Sequence, residues 1–157
     1  MSEALKYPDY EEALTVYQKT IDASGGGLQG VKDEGGVRKV LDFVQNDLYY
    51  PTFIDKLTYL IYGLCTGHYF EDCNKRIALT LGVWFLFYNG HYWHAANLMP
   101  RMEAFIYHVA AGRISKDLLH RILECYMANE DYPENLQIEI IHAIETENNL
   151  LKRKTIL

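Results

Sequence analysis

One stretch of this chain constrains the fold more than any other, because it is apolar on nearly every side of a helix. Between Asn74 and Asn89 the apolar side chains are Ile77, Leu79, Leu81, Val83, Trp84, Phe85, Leu86 and Phe87. A helix on a protein surface keeps a polar face, which this segment lacks, and residues 77–88 are too few to cross a bilayer. We therefore expect a helix through the middle of a domain, covered by other helices, with Gly90 at its end.

Helical signals flank this central segment on both sides. The spacing predicts helices over residues 9–21, 37–46 and 51–67. Asp9 belongs to the start signal of the first, Pro51 opens the third, and Gly67 is expected to end the third in a left-handed conformation. Further helices are expected near 98–111, 115–128 with Ser115 as the cap, and 133–151. Alternating strand patterns are absent. The sequence predicts an all-α fold in which residues 1–157 form a single-domain helical bundle around a buried central helix.

Composition excludes several classes of function. Apolar residues make up 49% of the chain and charged residues 23%, as in ordinary globular proteins. The net charge of −6 argues against a general polyanion binder, so direct nucleic-acid binding is not expected. Three cysteines without a CxxC pair suit a reducing compartment, and the acidic start does not look like a secretion signal. These features predict a cytoplasmic protein without a membrane span.

A glycine-rich segment follows the first predicted helix. Residues 24–30 read Ser-Gly-Gly-Gly-Leu-Gln-Gly and hold four of the eleven glycines. No helix tolerates that density of glycine, so we expect a mobile loop or a short β-hairpin within residues 24–32.

Residues 68–76, which read HYFEDCNKR, are the segment most suited to chemistry. They connect two predicted helices, and the N–H groups that open the second helix form a natural anion site. Lys75 and Arg76 in that first turn oppose the helix dipole, which makes sense if a phosphate supplies negative charge there. Asp72 suits Mg²⁺, and His68 can take a proton near neutral pH. Together these residues indicate phosphoryl or nucleotidyl transfer.

Simpler interpretations exist for some of these residues. Asp72 is also a good helix cap, and Lys75 and Arg76 are also ordinary surface charges. His91 and His94 have the spacing of a metal pair, but without a third ligand a turn of amphipathic side chains is the preferred interpretation. Phe70, between polar neighbours, is expected to plug into the core and fix the loop.

The order of these residues resembles the Fic/Doc family, whose signature is HxFx(D/E)(G/A)N(G/K)RxxR. The matching positions are His68, Phe70, Asp72, Asn74, Lys75 and Arg76. Cys73 replaces the family's glycine or alanine, and Leu79 stands where AMP-transferring members have a second arginine. Leu79 and Lys75 resemble the death-on-curing (Doc) branch, as do residues 30–35 and 89–90, so the resemblance covers about residues 24–94.

The resemblance implies an enzyme that uses ATP and Mg²⁺ to modify a protein hydroxyl. A Doc-like protein transfers phosphate to a Ser or Thr of a target, such as a translation factor, and acts as the toxin of a toxin–antitoxin pair. Transfer of AMP and a catalytically silent interaction module are the alternatives. By this resemblance His68 is the general base, Asp72 the Mg²⁺ ligand and Phe70 the loop anchor, and the nucleotide-binding residues are Cys73, Asn74, Lys75 and Arg76.

Two further roles come from the same resemblance. The residues Gly25, Gly26, Gly27 and Leu28 become a flap that aligns the target through main-chain hydrogen bonds, with a flexible connector as the equal alternative. Ala143-x-x-x-Glu147-Asn148 resembles the family's inhibitory pattern except at its first residue. Glu147 would then pair with Arg76 and displace a phosphate, the alternatives being an exposed helix face or inhibition by a separate antitoxin chain.

Overall fold

The all-α fold is confirmed by the structure, a computed structural model that describes residues 3–25, 27 and 29–156, with side chains as far as residue 145. The described residues form seven helices: α1 Tyr10–Ala23, α2 Glu34–Phe43, α3 Phe53–Thr66, α4 Asn74–Tyr88, α5 Tyr92–Ala110, α6 Lys116–Ala128 and α7 Glu134–Ile156. None of these helices is long and apolar enough to cross a membrane, within the residues described.

Local side-chain caps fix where several helices begin. The Asp9 carboxylate accepts a hydrogen bond from the Glu12 amide (2.8 Å), and the Ser115 hydroxyl accepts one from the Leu118 amide (3.1 Å). At α3 the Thr52 side chain and Asp55 form a reciprocal capping box. Each cap satisfies N–H groups that the helix itself leaves without partners, so these starts follow from short-range sequence.

The predicted central helix is α4, which packs between α3 and α5 and also against α1. Its fully buried side chains include Ile77, Leu81 and Phe85. Gly82 lies so close to α3 and α5 that a Cβ there would come within 2.9 Å of Ile61 Cδ1. Burial is not complete around the helix, however, because Phe87 and Tyr88 near its end are each 49% exposed. The central position is thus confirmed for the middle of the helix, from Ile77 to Leu86, whereas its first and last turns reach the surface.

Two details of the predicted boundaries were wrong. Gly67 has a right-handed backbone (φ −75°), and the left-handed residue that follows α3 is His68 (φ +52°). The helix predicted from residue 98 begins at Tyr92, so the segment around His91 and His94 is a helix start rather than a turn. Pro100 lies inside α5, where its missing N–H removes one helical hydrogen bond without ending the helix.

The expected hairpin within residues 24–32 is not formed by the described part of that segment. Instead Val31 forms an isolated antiparallel bridge with Phe70. The Lys32 amide donates to the Tyr69 carbonyl (2.8 Å), and the Glu71 amide donates to the Gly30 carbonyl (3.1 Å). The backbone groups that a hairpin would use are therefore bonded to the loop between α3 and α4, which ties the end of the glycine-rich segment to that loop.

Candidate active site

The loop between α3 and α4 has a left-handed residue at each end. His68 has φ +52° and Cys73 has φ +62°, although neither is glycine. A residue with a Cβ is strained in this region by about 1–2 kcal/mol, so contacts elsewhere must hold the loop in shape.

Phe70 and Asn74 provide two of those contacts. The Phe70 side chain is 1% exposed and stacks on Tyr17 of α1, with 4.9 Å between ring centroids. The Asn74 amide bonds both backbone groups of Phe70: its Oδ1 accepts from the Phe70 N–H (3.1 Å), and its Nδ2 donates to the Phe70 carbonyl (2.9 Å). The loop is thus anchored in the core and closed onto the first residue of α4. Contact of the Asn74 side chain with a phosphate stays a prediction.

Tyr69 gives the loop a third point of attachment. Its ring lies against the backbones of Gly36 and Gly67, where a Cβ at either glycine would overlap the ring. Its carbonyl accepts the amides of Lys32 and Asp33 (2.8 and 3.0 Å). The two glycines therefore make room for a tyrosine that joins the loop to α2 and α3.

The N-terminus of α4 is open for an anion. Its N-cap residue is Cys73, and no described side chain forms a cap hydrogen bond there. Asp72 lies one position earlier, and its Oδ1 accepts the Cys73 N–H (2.7 Å), so the amides available to a ligand begin at Asn74. Lys75 and Arg76 in the first turn are exposed. Free amides, two cations and the positive end of the helix dipole together attract negative charge.

Two contacts bring the glycine-rich segment to this helix start. A Cβ at Gly27 (φ +154°) would come within 2.8 Å of Asp72 Oδ2, so the backbone of Gly27 lies against that carboxylate. Arg76 Nη1 donates a hydrogen bond to the Ser24 hydroxyl, which in turn donates to the Thr20 carbonyl (2.7 Å). Gly25 has φ +82° in the turn that ends α1. Gly26 and Leu28 lie outside the described residues.

A cavity of about 460 Å³ opens beside the start of α4. From the loop and α4 its lining includes Asp72, Cys73, Lys75, Arg76 and Leu79. The facing wall is contributed by α5 through Met99, Glu103, Ile106 and Tyr107. Small-molecule sites commonly measure about 300–1,000 Å³, so a nucleotide fits this cavity by size. Its lining combines the cations Lys75 and Arg76 with apolar side chains such as Leu79 and Ile106, and a nucleotide needs both kinds of surface.

Mg²⁺ is the metal that this donor set suits. Asp72 brings one carboxylate to the start of α4, and Mg²⁺ in phosphoryl-transfer sites binds one or two carboxylates together with phosphate oxygens and water. Across the described residues, no three His, Cys, Asp or Glu side chains cluster closely enough to hold a metal. A metal here would therefore depend on the nucleotide for most of its ligands.

The structure does not bring every predicted residue into the cavity. His68 follows α3 with an exposed side chain and is not part of the cavity lining. The side chain of Glu147 lies outside the described residues, although its backbone belongs to α7. His91 and His94 have ring centroids 6.2 Å apart, and His94 Nε2 is 3.1 Å from the Asn129 Oδ1.

Sequence reasoning missed the α5 wall altogether. Met99, Glu103 and Ile106 recur at the spacing of one helix face, which was the available signal. That spacing does not say which neighbouring helix the face meets.

Beneath the wall, burial raises the pKa of the Cys65 thiol to about 11, despite the opposing effect of Lys75. Cys65 is therefore an inert core thiol rather than a nucleophile.

Comparison with known proteins agrees with this geometry. The family model described as Fic/DOC matches residues 7–86, which include α1, α2, α3, the loop after α3 and most of α4. The chain is 34% identical over 84 residues to "Protein kinase doc" of Escherichia phage P1, and the match covers 51% of this chain and 65% of that relative. The match therefore spans less than two thirds of the relative's length. On the family-model match, which covers just over half of its length, the chain belongs to the Fic/DOC family.

Proposed function

We propose that this protein transfers the γ-phosphate of ATP to a Ser or Thr hydroxyl of a target protein. The observation that carries the proposal is the open N-terminus of α4, where Lys75 and Arg76 line a nucleotide-sized cavity together with the carboxylate of Asp72. Phosphoryl transfer depends mainly on positioning and on neutralising phosphate charge, and these residue types do both.

The phosphates are held by groups of the first turn of α4. The amides from Asn74 onward donate to phosphate oxygens, and the side chains of Lys75 and Arg76 neutralise their charge. Asp72 holds Mg²⁺, which when bound draws charge from the phosphates and fixes their orientation. Arg76 exchanges its hydrogen bond with Ser24 for one with the nucleotide.

His68 acts as the general base. Its imidazole takes the proton of the target hydroxyl, whose oxygen attacks the γ-phosphorus while the bond from that phosphorus to the β–γ bridging oxygen breaks. The products are the phosphorylated target, ADP and a protonated His68. The exposed position of His68 suits an acceptor that arrives on a second protein.

The glycine-rich segment acts as the flap for that target. Ser24, its first residue, bonds Arg76, and Gly27, in its middle, lies against Asp72, which supports a flap over a mere connector. An extended target segment then pairs with the flap backbone through main-chain hydrogen bonds.

The residue at position 79 favours phosphate transfer over AMP transfer. Leu79 is 2% exposed and lines the cavity, so an apolar side chain stands where an AMP-transferring relative has a second arginine. The relative named as a protein kinase supports the same reaction. We extend the proposal to a cytoplasmic toxin that acts on a component such as a translation factor and is held in check by a separate antitoxin chain.

Labelled ATP tests the reaction. Purified protein is incubated with Mg²⁺, a cell lysate and ATP labelled at the α- or the γ-phosphate, and labelled proteins are separated and identified. We expect γ-label in a target, absent with His68→Ala and retained with His142→Ala, an exposed histidine on α7. Transfer of α-label would replace the proposal with AMP transfer. If neither label is transferred, and His68→Ala leaves growth on expression unchanged, a silent interaction module is the better account.

A further inference from the structure

The α5 wall of the cavity carries a carboxylate that neither the signature nor the fold explains. Glu103 lies on the same helix face as Met99 and Ile106 and lines the cavity with them. Ile106 is buried, whereas Glu103 is exposed. Throughout the described part of the chain, Glu103 has neither an ion pair nor a hydrogen bond. An acidic side chain without a structural partner, set into a cavity wall, is therefore available to a ligand.

The chemistry of the cavity limits what Glu103 can bind. The opposite wall holds Lys75 and Arg76, which attract the phosphates, and like charge keeps those phosphates away from Glu103. The apolar side chains of Leu79, Met99 and Ile106 suit the flat faces of a nucleobase. An ionised carboxylate only accepts hydrogen bonds, so its partner on the nucleotide must be a hydrogen-bond donor.

The ribose hydroxyls, which lie between the phosphates and the base of a nucleotide, are the donors that fit a carboxylate best. Adenine has one donor group, its exocyclic amine, beside ring-nitrogen acceptors that a carboxylate repels, whereas a vicinal diol offers two adjacent O–H donors that match the two carboxylate oxygens. We propose that Glu103 is a specificity-determining residue that accepts hydrogen bonds from the ribose 2′- and 3′-hydroxyls of the bound nucleotide. This inference rests on the proposed function and names a residue outside the family signature.

Nucleotide binding by calorimetry in the presence of Mg²⁺ tests the assignment. ATP and 2′,3′-dideoxy-ATP are titrated into the full chain and into Glu103→Ala, Glu103→Gln and a control, Asp42→Asn. Asp42 is an exposed carboxylate on α2 that does not line the cavity. Wild type and control should bind ATP at least about tenfold tighter than the dideoxy analogue, since hydrogen bonds to a charged group contribute that much. Glu103→Ala should bind the two equally, and Glu103→Gln, which keeps one acceptor oxygen, should lie between.

Inorganic triphosphate separates ribose recognition from a simple effect of charge. Its affinity should be unchanged, or slightly higher, in Glu103→Ala. If Glu103→Ala tightens ATP, the dideoxy analogue and triphosphate alike, the carboxylate only repels phosphate and the inference is overturned. It is also overturned if the wild type binds both nucleotides equally. If the wild type binds ATP with the expected preference but Glu103→Ala retains it, the inference fails while the proposed function stands. If the wild type binds no ATP, both the inference and the proposed function are wrong.

Discussion

Replacing Cys73 by glycine should stabilise the protein, whereas replacing it by alanine should not. Cys73 is the N-cap of α4 and has a left-handed backbone (φ +62°). In this region a residue with a Cβ is strained by about 1–2 kcal/mol, whereas glycine is unstrained. Glycine also loses about 0.4–1 kcal/mol through the greater freedom of the unfolded chain. The strain is the larger of the two effects, so Cys73→Gly should be about 0.5–1 kcal/mol more stable than Cys73→Ala.

The alanine variant is the matched control because both substitutions remove the same partly buried thiol. The Cys73 N–H that donates to Asp72 survives in both, since it belongs to the backbone. Urea unfolding at constant m-value measures the free energy of unfolding, and a gain of this size should raise Tm by roughly 1–4 °C in a domain of this length. If Cys73→Gly is equal to Cys73→Ala or less stable, the loop is not strained at this position and the account of its geometry is wrong.

Three further predictions test the loop, the anion site and the capping box. Phe70→Ala should lower the free energy of unfolding by about 3–5 kcal/mol, because it leaves a cavity in the core and removes the stacking on Tyr17. Urea unfolding measures this loss, and a value below about 1 kcal/mol would contradict the anchor role of Phe70. Arg76→Ala should weaken ATP binding at least about tenfold in calorimetry with little change in stability, whereas loss of folding would mean that its bond to Ser24 is structural. Burial raises the pKa of Asp55, but hydrogen bonds from Thr52 and His120 outweigh burial and hold this pKa below its ordinary value of 3.8. The ionised Asp55 therefore stabilises the fold at a pH above 3.8, and this stabilisation is lost as the pH falls through the lowered pKa of the folded protein. Asp55→Asn should therefore lose less stability on acidification than the wild type, and an equal loss in pH-dependent unfolding would count against the capping box.

Much of the fold follows from short-range signals. Asp9 and Ser115 cap helices by bonding amides three residues ahead, so the sequence alone locates those starts. The apolar run of α4 likewise requires burial wherever the helix lies. The order of residues from His68 to Arg76 predicts the site for the same reason, because one loop and one helix turn hold most of its chemistry.

The remaining features depend on contacts between distant segments. Gly67 has a right-handed backbone, so it is not needed for a left-handed helix end. It is needed because a Cβ there would overlap the Tyr69 ring, a contact between residues that only the folded structure reveals. Residues 30–33 bond to the loop between α3 and α4 instead of forming a hairpin, since that loop offers partners for their backbone groups. Buried Lys56 is another example: it lies within an apolar helix face but is 2% exposed, because its ammonium group reaches Asp47 (2.8 Å) and the Val44 carbonyl (3.1 Å). Glu103 was missed because helix periodicity does not reveal which helices face each other.

The most direct test of the central claim is the structure of the protein with Mg²⁺ and a non-hydrolysable ATP analogue. The claim is that the start of α4 binds a triphosphate with its terminal phosphate toward His68. We predict density for the phosphates on the amides from Asn74 onward and beside Arg76, with the γ-phosphate the one nearest the His68 imidazole. An α-phosphate in that position, or an analogue bound away from α4, would contradict the account.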